Sequence, residues 1–475
     1  MTAWKMTIGI ECHVQLATAT KLFSPADNDA RDKEPNSVVH PIDYGLPGML
    51  PILNKEAVNL AIRAGKALNA KIATVSRFDR KHYFYPDLPN GYQITQMYHP
   101  TILAGEVNAP IEDGTSVKVR INHAHIESDA GKLSHYGSYS LVDLNRAGTP
   151  LIEIVSEPDM HSPQEAKAYA AELHKLMTYA GVTHGDLYHG NMRFDVNISV
   201  APEGAAELGK RAEVKNLNSF RSVERAAEYE FKRQVELLEK GGRVVQETRG
   251  WDDATGRTSS QRSKEDAQDY RYMPDADIPP VILTDEQIAK VQAEVPLLPP
   301  YYREKWANLG LDKSVVNSIL AHQSYAALIA TIQDKAGDDK AKRVANWFSS
   351  AVSTDEDTAT VASTFAPENF IQLAEMVDKN ELSSTAAKEV FNELLTSNKS
   401  PRQIAEEKNL LQVSDEGAIA AIVDEVLADP ANTKAVQDIK DGNDKVIGFL
   451  VGQIMKRSQG KANPALAQKL IREKL

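Results

Sequence analysis

Residues 7–16 alternate between apolar and polar side chains, and this period of two predicts an extended strand with two unlike faces. The apolar face comprises Ile8, Ile10, Cys12, Val14 and Leu16. Because Cys12 belongs to this set, we expect it to be a buried small hydrophobe and not a nucleophile. The other face carries Glu11 and His13 at a spacing suited to binding one cation, although an ordinary solvated sheet face would show the same pattern.

A second stretch, residues 121–159, repeats this pattern with more ionisable groups. Three of them fall at every second position: His125, Glu127 and Asp129. Lys132 follows in a glycine-containing turn, and Glu153 stands at the centre of the short apolar strand LIEIV. A charge inside such a strand is unfavourable unless it is paired, bound to a metal or open to a cleft. The stretch therefore predicts a site for a divalent cation and phosphate.

Two later stretches, residues 192–200 and 212–219, alternate in the same way. Their polar faces carry Arg193, Asp195, Asn197, Glu213 and Lys215. An antiparallel sheet can leave one face uncovered, so these strands predict an α+β domain whose ionisable sheet face forms a cradle. Carboxylates and imidazoles beside Arg, Lys and Asn indicate cation-assisted handling of phosphate. The motifs GxxxxGK[ST], GxGxxG and GxSxG are absent, which argues against P-loop, Rossmann and α/β-hydrolase sites.

Two loop-like stretches add cations to this set. Residues 76–96 interleave Arg80 and Lys81 with several aromatic residues, a pattern that suits a phosphate-bearing ligand but equally suits a packed loop. Residues 246–280 are polar and dense in charge, include Lys264, and predict an exposed loop that could serve as an active-site lid.

Helical patterns occupy much of the remaining chain. Helices are predicted over residues 55–69, 162–180 and 222–240, and the sequence beyond residue 292 reads as helical throughout. For the helix at 162–180, Ser162 and Glu165 predict a capping box. We expect domains at 1–292, 293–408 and 409–475. The last of these ends in a basic helical segment, which fits either RNA-backbone contact or a solvated charged face.

Composition excludes several classes of protein. A formal net charge of −12 argues against non-specific coating of nucleic acid. The single cysteine excludes internal disulfides and multi-cysteine metal sites. With no apolar run of about 18 residues, no membrane span is expected. The N-terminus enters a strand pattern at once and leaves no room for a signal peptide, so we expect a cytoplasmic protein.

Taken together, the motifs resemble those of the B subunit of the bacterial glutamyl/aspartyl-tRNA amidotransferases, and the resemblance runs from end to end. The matching elements are IGIECHVQL, EPNS with YGLPGMLPILN, FDRKHYFYPDLPNGYQITQ, HIESDAGK, LVDLNRAGTPLIEIVSEPD, MRFDVNIS, EVKNLNSF, QETRGWDDATGRTSSQRSKEDAQDYRYMPDADIPP and GFLVGQIMK. One such fragment is a weak signal, whereas nine in order are specific.

The resemblance implies a catalytic cradle similar to the glutamine synthetase fold, then an all-α domain and a small helical tail of YqeY type. It implies that ATP and Mg²⁺ are used to phosphorylate the side-chain carboxylate of glutamate or aspartate misacylated onto tRNA(Gln) or tRNA(Asn). Ammonia then forms the amide. The implied partners are the amidase (A) subunit, which supplies ammonia from glutamine, and the small (C) subunit.

The resemblance also assigns roles to residues. The implied catalytic residues are Glu11, His13, Glu127, Glu153 and Lys215. The implied cation ligands are Glu11, His13, Glu127, Asp129 and Glu153. The residues expected to bind nucleotide, phosphate or carboxylate are Arg193, Asp195, Asn197, Arg80, Lys81, Lys132 and Lys264. Some family members bind a structural zinc through CxxC pairs before the GLPG element; this chain has no cysteine there, so zinc is not expected.

Two other classes of function remain open from the sequence. One is a stand-alone ATP-dependent carboxylate–amine ligase of glutamine synthetase type that acts on a small molecule and needs no basic tail. The other is a non-catalytic RNA-binding scaffold, which would tolerate loss of Glu127 or Glu153.

Overall fold

A computed structural model describes residues 3–263, 269–351, 365–397, 399–412, 416–458 and 461–475 of the protein. The chain divides into two units, Met1–Tyr301 and Tyr302–Leu475, each of which is treated by itself. Lys264 lies outside the described residues.

The first unit is built from strands and helices that follow the predicted order closely. Its strands are β1 (Trp4–Gln15), β2 (Val75–Ser76), β3 (Asp79–His82), β4 (Tyr92–Thr95), β5 (Gly105–Pro110), β6 (Ser116–Ser128), β7 (Lys132–Tyr136), β8 (Tyr139–Asp143), β9 (Pro150–Ser156), β10 (Met192–Pro202), β11 (Arg211–Leu217), β12 (Glu247–Asp252), β13 (Arg257–Ser263), β14 (Met273–Pro274) and β15 (Val281–Ile282). Its helices are α1 (Lys55–Ala67), α2 (Pro163–Tyr179), α3 (Phe220–Glu239) and α4 (Asp285–Ala293).

The main sheet has the order β13-β12-β11-β10-β1-β9-β6-β5, which places β1 near its centre. The apolar faces of these strands and the helices α1, α2 and α3 form one core. Cys12 lies in this core with no exposed surface, which confirms the prediction from its parity on the strand. The alternation read from residues 7–16 thus separates a buried apolar side from a side that carries ionisable groups.

The main sheet is not wholly antiparallel, and this corrects the predicted cradle. Strands β11 and β12 pair in parallel, with Glu213 opposite Thr248, whereas the other neighbours in this sheet pair antiparallel. Parallel neighbours need a crossover, and α3 supplies it between the two strands. The prediction of an exposed loop over residues 246–280 is also wrong in part, because β12 and β13 extend the sheet there.

Helix α2 shows why its N-terminus could be predicted and where that prediction fails. The Ser162 side chain accepts a hydrogen bond from the backbone N–H of Glu165 at 3.1 Å, and Pro163 occupies the first turn. The reciprocal half of the predicted capping box is displaced by one residue, since the Glu165 carboxylate accepts from the backbone N–H of His161 instead of Ser162. One apolar stripe of α2 is buried in the core: Tyr169, Leu173, Leu176, Met177 and Ala180.

The second unit is helical in its described residues, as predicted for the sequence beyond residue 292, and its boundary with the first unit falls within α5. The helices are α5 (Pro299–Lys305), α6 (Lys313–Leu320), α7 (Gln323–Ala336), α8 (Asp338–Ala351), α9 (Pro367–Asp378), α10 (Ser384–Leu394), α11 (Pro401–Glu407), α12 (Glu416–Ala428), α13 (Thr433–Lys440), α14 (Ile447–Arg457) and α15 (Pro464–Lys474). Helices α8–α10 bring together the rings of Phe348, Phe370 and Phe391, with centroids 4.9–5.8 Å apart. Helices α12–α15 form a separate apolar cluster.

No single helix among the described residues has the length and apolar character needed to cross a membrane. Helices α6 and α7 reach that length and composition only as a pair bent by 118°. Their apolar side chains, such as Ile319 and Ile329, are buried within the second unit.

An ion-pair network attaches α3 to the sheet edge. Glu230 on α3 has no exposed surface and accepts hydrogen bonds from Arg233, Gln234 and Thr258. Its carboxylate also lies 3.0 Å from Nε of Arg249 on β12. Arg249 is itself buried and also pairs with Glu247, so the two glutamates together neutralise a charge that has little access to water.

Replacing Glu230 by Ala is expected to lower the free energy of unfolding by about 3–5 kcal/mol, because it removes the buried carboxylate shared by Arg249, Arg233 and Thr258 and leaves Arg249 with Glu247. The control is Glu228→Ala on the same helix, where an exposed pair with Lys232 should change stability by less than about 1 kcal/mol. Urea-unfolding curves measure both. Equal losses in the two variants would show that the buried network is not what fixes the sheet edge.

Candidate active site

Strand pairing aligns the ionisable side chains of separate strands across the sheet. Glu153 on β9 lies opposite His13 on β1 and opposite His125 on β6. Two residues earlier on β1, Glu11 lies opposite Asp195 on β10. Residues two apart on a strand are about 7 Å apart and share a face, so the register forms two neighbouring polar rows.

The first row contains a group of one imidazole and two carboxylates, here called the histidine group: His13, Glu127 and Glu153. The Nε2 atom of His13 lies 3.7 Å from Glu127 Oε1 and 3.6 Å from Glu153 Oε2. All three ligand atoms lie within 4.8 Å of one another, close enough to hold one metal ion. Glu127 is only 4% exposed, so its charge requires a partner of opposite sign.

His125 supplies positive charge to this group. Its Nε2 lies 3.3 Å from Glu153 Oε2 and 3.6 Å from Glu127 Oε2. Burial opposes protonation of His125, but the two glutamates outweigh burial and raise its pKa to about 9. Burial alone would raise the pKa of Glu153, yet hydrogen bonding and charge from His125 hold that pKa well below its usual range. An imidazolium therefore balances the carboxylates of the histidine group.

The second row contains three carboxylates, here called the acidic group: Glu11, Asp195 and Glu213. Their oxygens also lie within 4.8 Å of one another. Nζ of Lys215 lies 3.1 Å from both Asp195 and Glu213. Burial lowers the pKa of Lys215, but the two carboxylates outweigh burial and raise that pKa above its usual value. Burial, followed by the charges of Glu153, Glu213 and Asp195, raises the pKa of Glu11.

The acidic group fits a hard divalent cation. Its three carboxylates bring their oxygens together beside the Lys215 ammonium, and carboxylate oxygens are the ligands that a cation such as Mg²⁺ prefers. Asn197 donates its amide N–H to Glu11 Oε1 at 3.0 Å, while its own side-chain oxygen is buried and has no hydrogen-bond partner in the structure. That oxygen is a further candidate metal ligand near the three carboxylates. In the histidine group, the imidazole is a nitrogen ligand that Mg²⁺ takes less readily.

Asp129 lies in neither group. Its carboxylate is 3.3 Å from the guanidinium of Arg193 and 3.3 Å from that of Arg146. Arg146 also donates to the carbonyl oxygens of Ala130 and Gly131 at 3.0 and 2.7 Å. The assignment of Asp129 as a cation ligand stays a prediction. Its contacts in the structure are those of a carboxylate that orients two arginines.

The remaining predicted cations differ in their surroundings. Arg80 is committed to an ion pair with Asp275 and another with Asp277, both at 2.8 Å. Lys81 lies 4.9 Å from the ring centroid of Tyr270, and its charge contributes to lowering the pKa of Glu153. Lys132 is exposed at the start of β7, and Lys264 lies outside the described residues.

Two residues complete the site that the sequence placed on its ionisable strand faces without giving either an individual role. Glu213 completes the acidic group, and His125 neutralises the histidine group. The signal for both was present, because Glu213 shares a strand face with Lys215 and His125 shares one with Glu127. What the sequence lacked was the register that brings these faces beside β1.

The raised pKa of His125 predicts a pH dependence of stability in chelator-treated protein. Because protonation is favoured in the folded state, the stabilising contribution is complete below about pH 6.5 and is lost as pH rises through about 9. Over this window, wild type should lose up to about 3 kcal/mol relative to His125→Gln, measured by urea unfolding. Parallel stability curves for the two proteins between pH 6 and 9.5 would contradict the assignment.

Comparison of the sequence with known proteins places this chain in a family. Residues 6–289 match the model of the GatB/GatE catalytic domain, and residues 328–475 match the model described as the GatB domain. Proteins named as the B subunit of aspartyl/glutamyl-tRNA(Asn/Gln) amidotransferase are similar over nearly their whole length. The one from Persephonella marina is 45% identical, covering 98% of each chain; that from Alkalilimnicola ehrlichii is 46% identical, covering 99% of each. The chain therefore belongs to the B-subunit family of the aspartyl/glutamyl-tRNA(Asn/Gln) amidotransferases.

Proposed function

We propose that this chain is the subunit of a tRNA-dependent amidotransferase that activates and amidates the side-chain carboxylate of Glu-tRNA(Gln), Asp-tRNA(Asn) or both. The family supports the reaction, since its relatives carry that activity in their names. The single structural observation that carries the proposal is the pair of adjacent groups, histidine and acidic, on one face of the sheet. A stand-alone ligase for a small molecule is not favoured, because the similarity continues through residues 328–475.

The chemistry explains why such a site needs many charges. A carboxylate is a poor electrophile, so one of its oxygens first takes the γ-phosphoryl group of ATP, which releases ADP and gives an acyl phosphate. Ammonia then adds at the carbonyl carbon, and phosphate leaves with the former carboxylate oxygen. Both steps concentrate negative charge, and preorganised cations lower the barrier most where that charge develops.

We assign Mg²⁺ binding to the acidic group, with the histidine group as the second position for a divalent cation. Bound there, the cation would neutralise the phosphoryl oxygens that the protein's own carboxylates would otherwise repel. Asn197 supports the acidic group through its bond to Glu11 and its unpaired oxygen. Lys215, fixed between Asp195 and Glu213, holds these carboxylates in place.

Cationic side chains beside the two groups would hold the reacting anions. Arg193 and Arg146 share Asp129, which fixes both guanidinium groups at the edge of the site where a phosphate or carboxylate can bind. Lys81 contacts the Tyr270 ring, and its charge helps to lower the pKa of Glu153. Arg80, with two carboxylate partners, acts in the proposal by fixing β3 against the chain around Asp275.

The proposal extends to architecture and partners. The sheet of the first unit would correspond to a catalytic cradle like that of glutamine synthetase, within the division 1–292, 293–408 and 409–475. The last segment would bind tRNA as a YqeY-type tail. The amidase (A) subunit would supply ammonia from glutamine, the small (C) subunit would complete a heterotrimer, and the complex would work in the cytoplasm.

Glu153→Gln should reduce amidation by about 100-fold or more. It removes a carboxylate charge from the histidine group, where the proposal places the stabilisation of charge that develops in the reaction. Binding of tRNA should change by less than about twofold. Glu228→Gln, an exposed glutamate on α3, is the matched control and should retain wild-type activity. The measurements are product formation at saturating ATP and filter binding of the tRNA. A Glu153→Gln enzyme with normal activity would support the non-catalytic scaffold instead.

The substrate assignment is tested by ATP-dependent amidation in the complete complex. Glu-tRNA(Gln) and Asp-tRNA(Asn) are supplied separately, with either glutamine or ammonia, and the aminoacyl product is identified by chromatography. We expect product with ammonia from at least one of the two, and none without ATP. Absence of product from both would overturn the proposed function. Removal of residues 409–475 should weaken tRNA binding, whereas a small-molecule ligase would lose nothing.

A further inference from the structure

A hairpin separate from the main sheet rises from the edge of the site. Within the described residues, strands β7 and β8 form a two-stranded sheet of their own, and Gly137 with φ of 52° begins the turn between them. At its tip Tyr136 lies directly opposite Tyr139, and their rings stack with centroids 5.6 Å apart and planes 18° apart. An isolated two-stranded hairpin has little stability of its own, and a cross-strand aromatic pair adds about 0.2–1 kcal/mol.

Stabilisation of the hairpin does not account for the exposure of this pair. Tyr136 and Tyr139 are 52% and 60% exposed, and Leu141 on the same face is 56% exposed. The pairing places Lys132 on that face as well, also exposed. We call these four residues the tyrosine face. It offers aromatic and aliphatic surface to a binding partner, with an ammonium at its base.

The hairpin itself places no carboxylate beside its two stacked tyrosines. Residues 131–142 contain no Asp or Glu, although the whole chain has a net charge of −12. At the base of the tyrosine face Asp143 lies opposite Lys132, and its carboxylate accepts hydrogen bonds from the backbone N–H groups of Asn36 and Asn145. Exposed aromatic rings on a strand pair whose tip carries no carboxylate are the features with which proteins stack unpaired nucleotides.

The hairpin is continuous with the proposed active site. Asp129 precedes β7 by three residues, Arg146 follows β8 by three, and the two form the ion pair beside Arg193. Arg146 further binds the carbonyl oxygens of Ala130 and Gly131, so the base of the hairpin is tied to the site from both ends. Each strand has five residues, so the tip lies within about 17 Å of that base. A few unpaired nucleotides span such a distance.

We propose that the tyrosine face stacks the unpaired nucleotides next to the aminoacyl ester of the tRNA substrate and thereby holds the ester at the site. This proposal rests on the proposed function for the identity of the RNA. Nucleotide bases have two apolar faces that accept stacking without sequence readout, which suits an end sequence shared by different tRNAs. The competing occupant of the same surface is another protein of the complex.

The test compares RNA affinity in a cycle of protein and RNA changes, using the complete complex. Replacing both Tyr136 and Tyr139 by Ala should weaken binding of intact tRNA roughly tenfold, because stacking is worth about 1–3 kcal/mol per base. The double Phe variant, which keeps both rings, should bind like wild type. Against tRNA lacking its unpaired 3′ nucleotides, wild type and the Ala variant should bind equally. Tyr188→Ala, at a tyrosine that is 86% exposed in another loop, is the control for loss of an exposed ring.

A second variant keeps the outcome clear if the hairpin collapses without its tyrosines. Leu141→Glu leaves the stacked pair intact but places a carboxylate on the tyrosine face, and it should weaken intact tRNA binding more than Leu141→Gln does. Equal binding by all variants, or equal weakening for truncated tRNA, would overturn the proposal. So would normal tRNA affinity with failed assembly of the complex, which would make the hairpin a protein contact. Failure of wild type to amidate any tRNA instead overturns the proposed function, because the affinity cycle does not depend on turnover.

Discussion

The pairing of β1 with β9 and β10 is the constraint on which the rest of the first unit depends. In one register it buries Cys12 and its apolar neighbours under the helices and places Glu11 and His13 beside Asp195 and Glu153. A shift of one residue would exchange the two faces and expose the core. The apolar side therefore specifies the positions of the charged side, and the free energy that holds the carboxylates together comes from the core beneath them.

Charge on that face is arranged in an incomplete balance. His125 and His13 face two glutamates, whereas three carboxylates converge beside Lys215 in the acidic group. Bringing like charges together under partial burial raises the free energy of the folded protein, and Glu11 shows this through its raised pKa. A divalent cation bound there, as proposed, would relieve this repulsion.

Much of this could be predicted from the sequence because strand faces are local. The parity of Cys12, the buried stripe of α2 and the ionisable side of residues 121–129 each follow from the chain within a dozen residues. Register is not local: Glu213 joins Glu11 through β10, and Arg80 finds Asp275 at a separation of 195 residues. The parallel placement of β12 likewise depends on α3 crossing over. Even the capping of α2 departed from its motif, because His161 offered a competing N–H.

The two parts of the site meet opposing physical demands. Groups that stabilise developing charge must keep fixed positions, and here they project from strands in the middle of a sheet supported by a continuous core. A surface that receives a long, flexible polyanion must stay open, which a sheet centre cannot do. In the proposal the hairpin β7–β8 meets this demand outside the sheet, and Arg146 joins it to Asp129 at the border. Because Asp129 also orients Arg193, movement of the hairpin base would change the position of a cation inside the site.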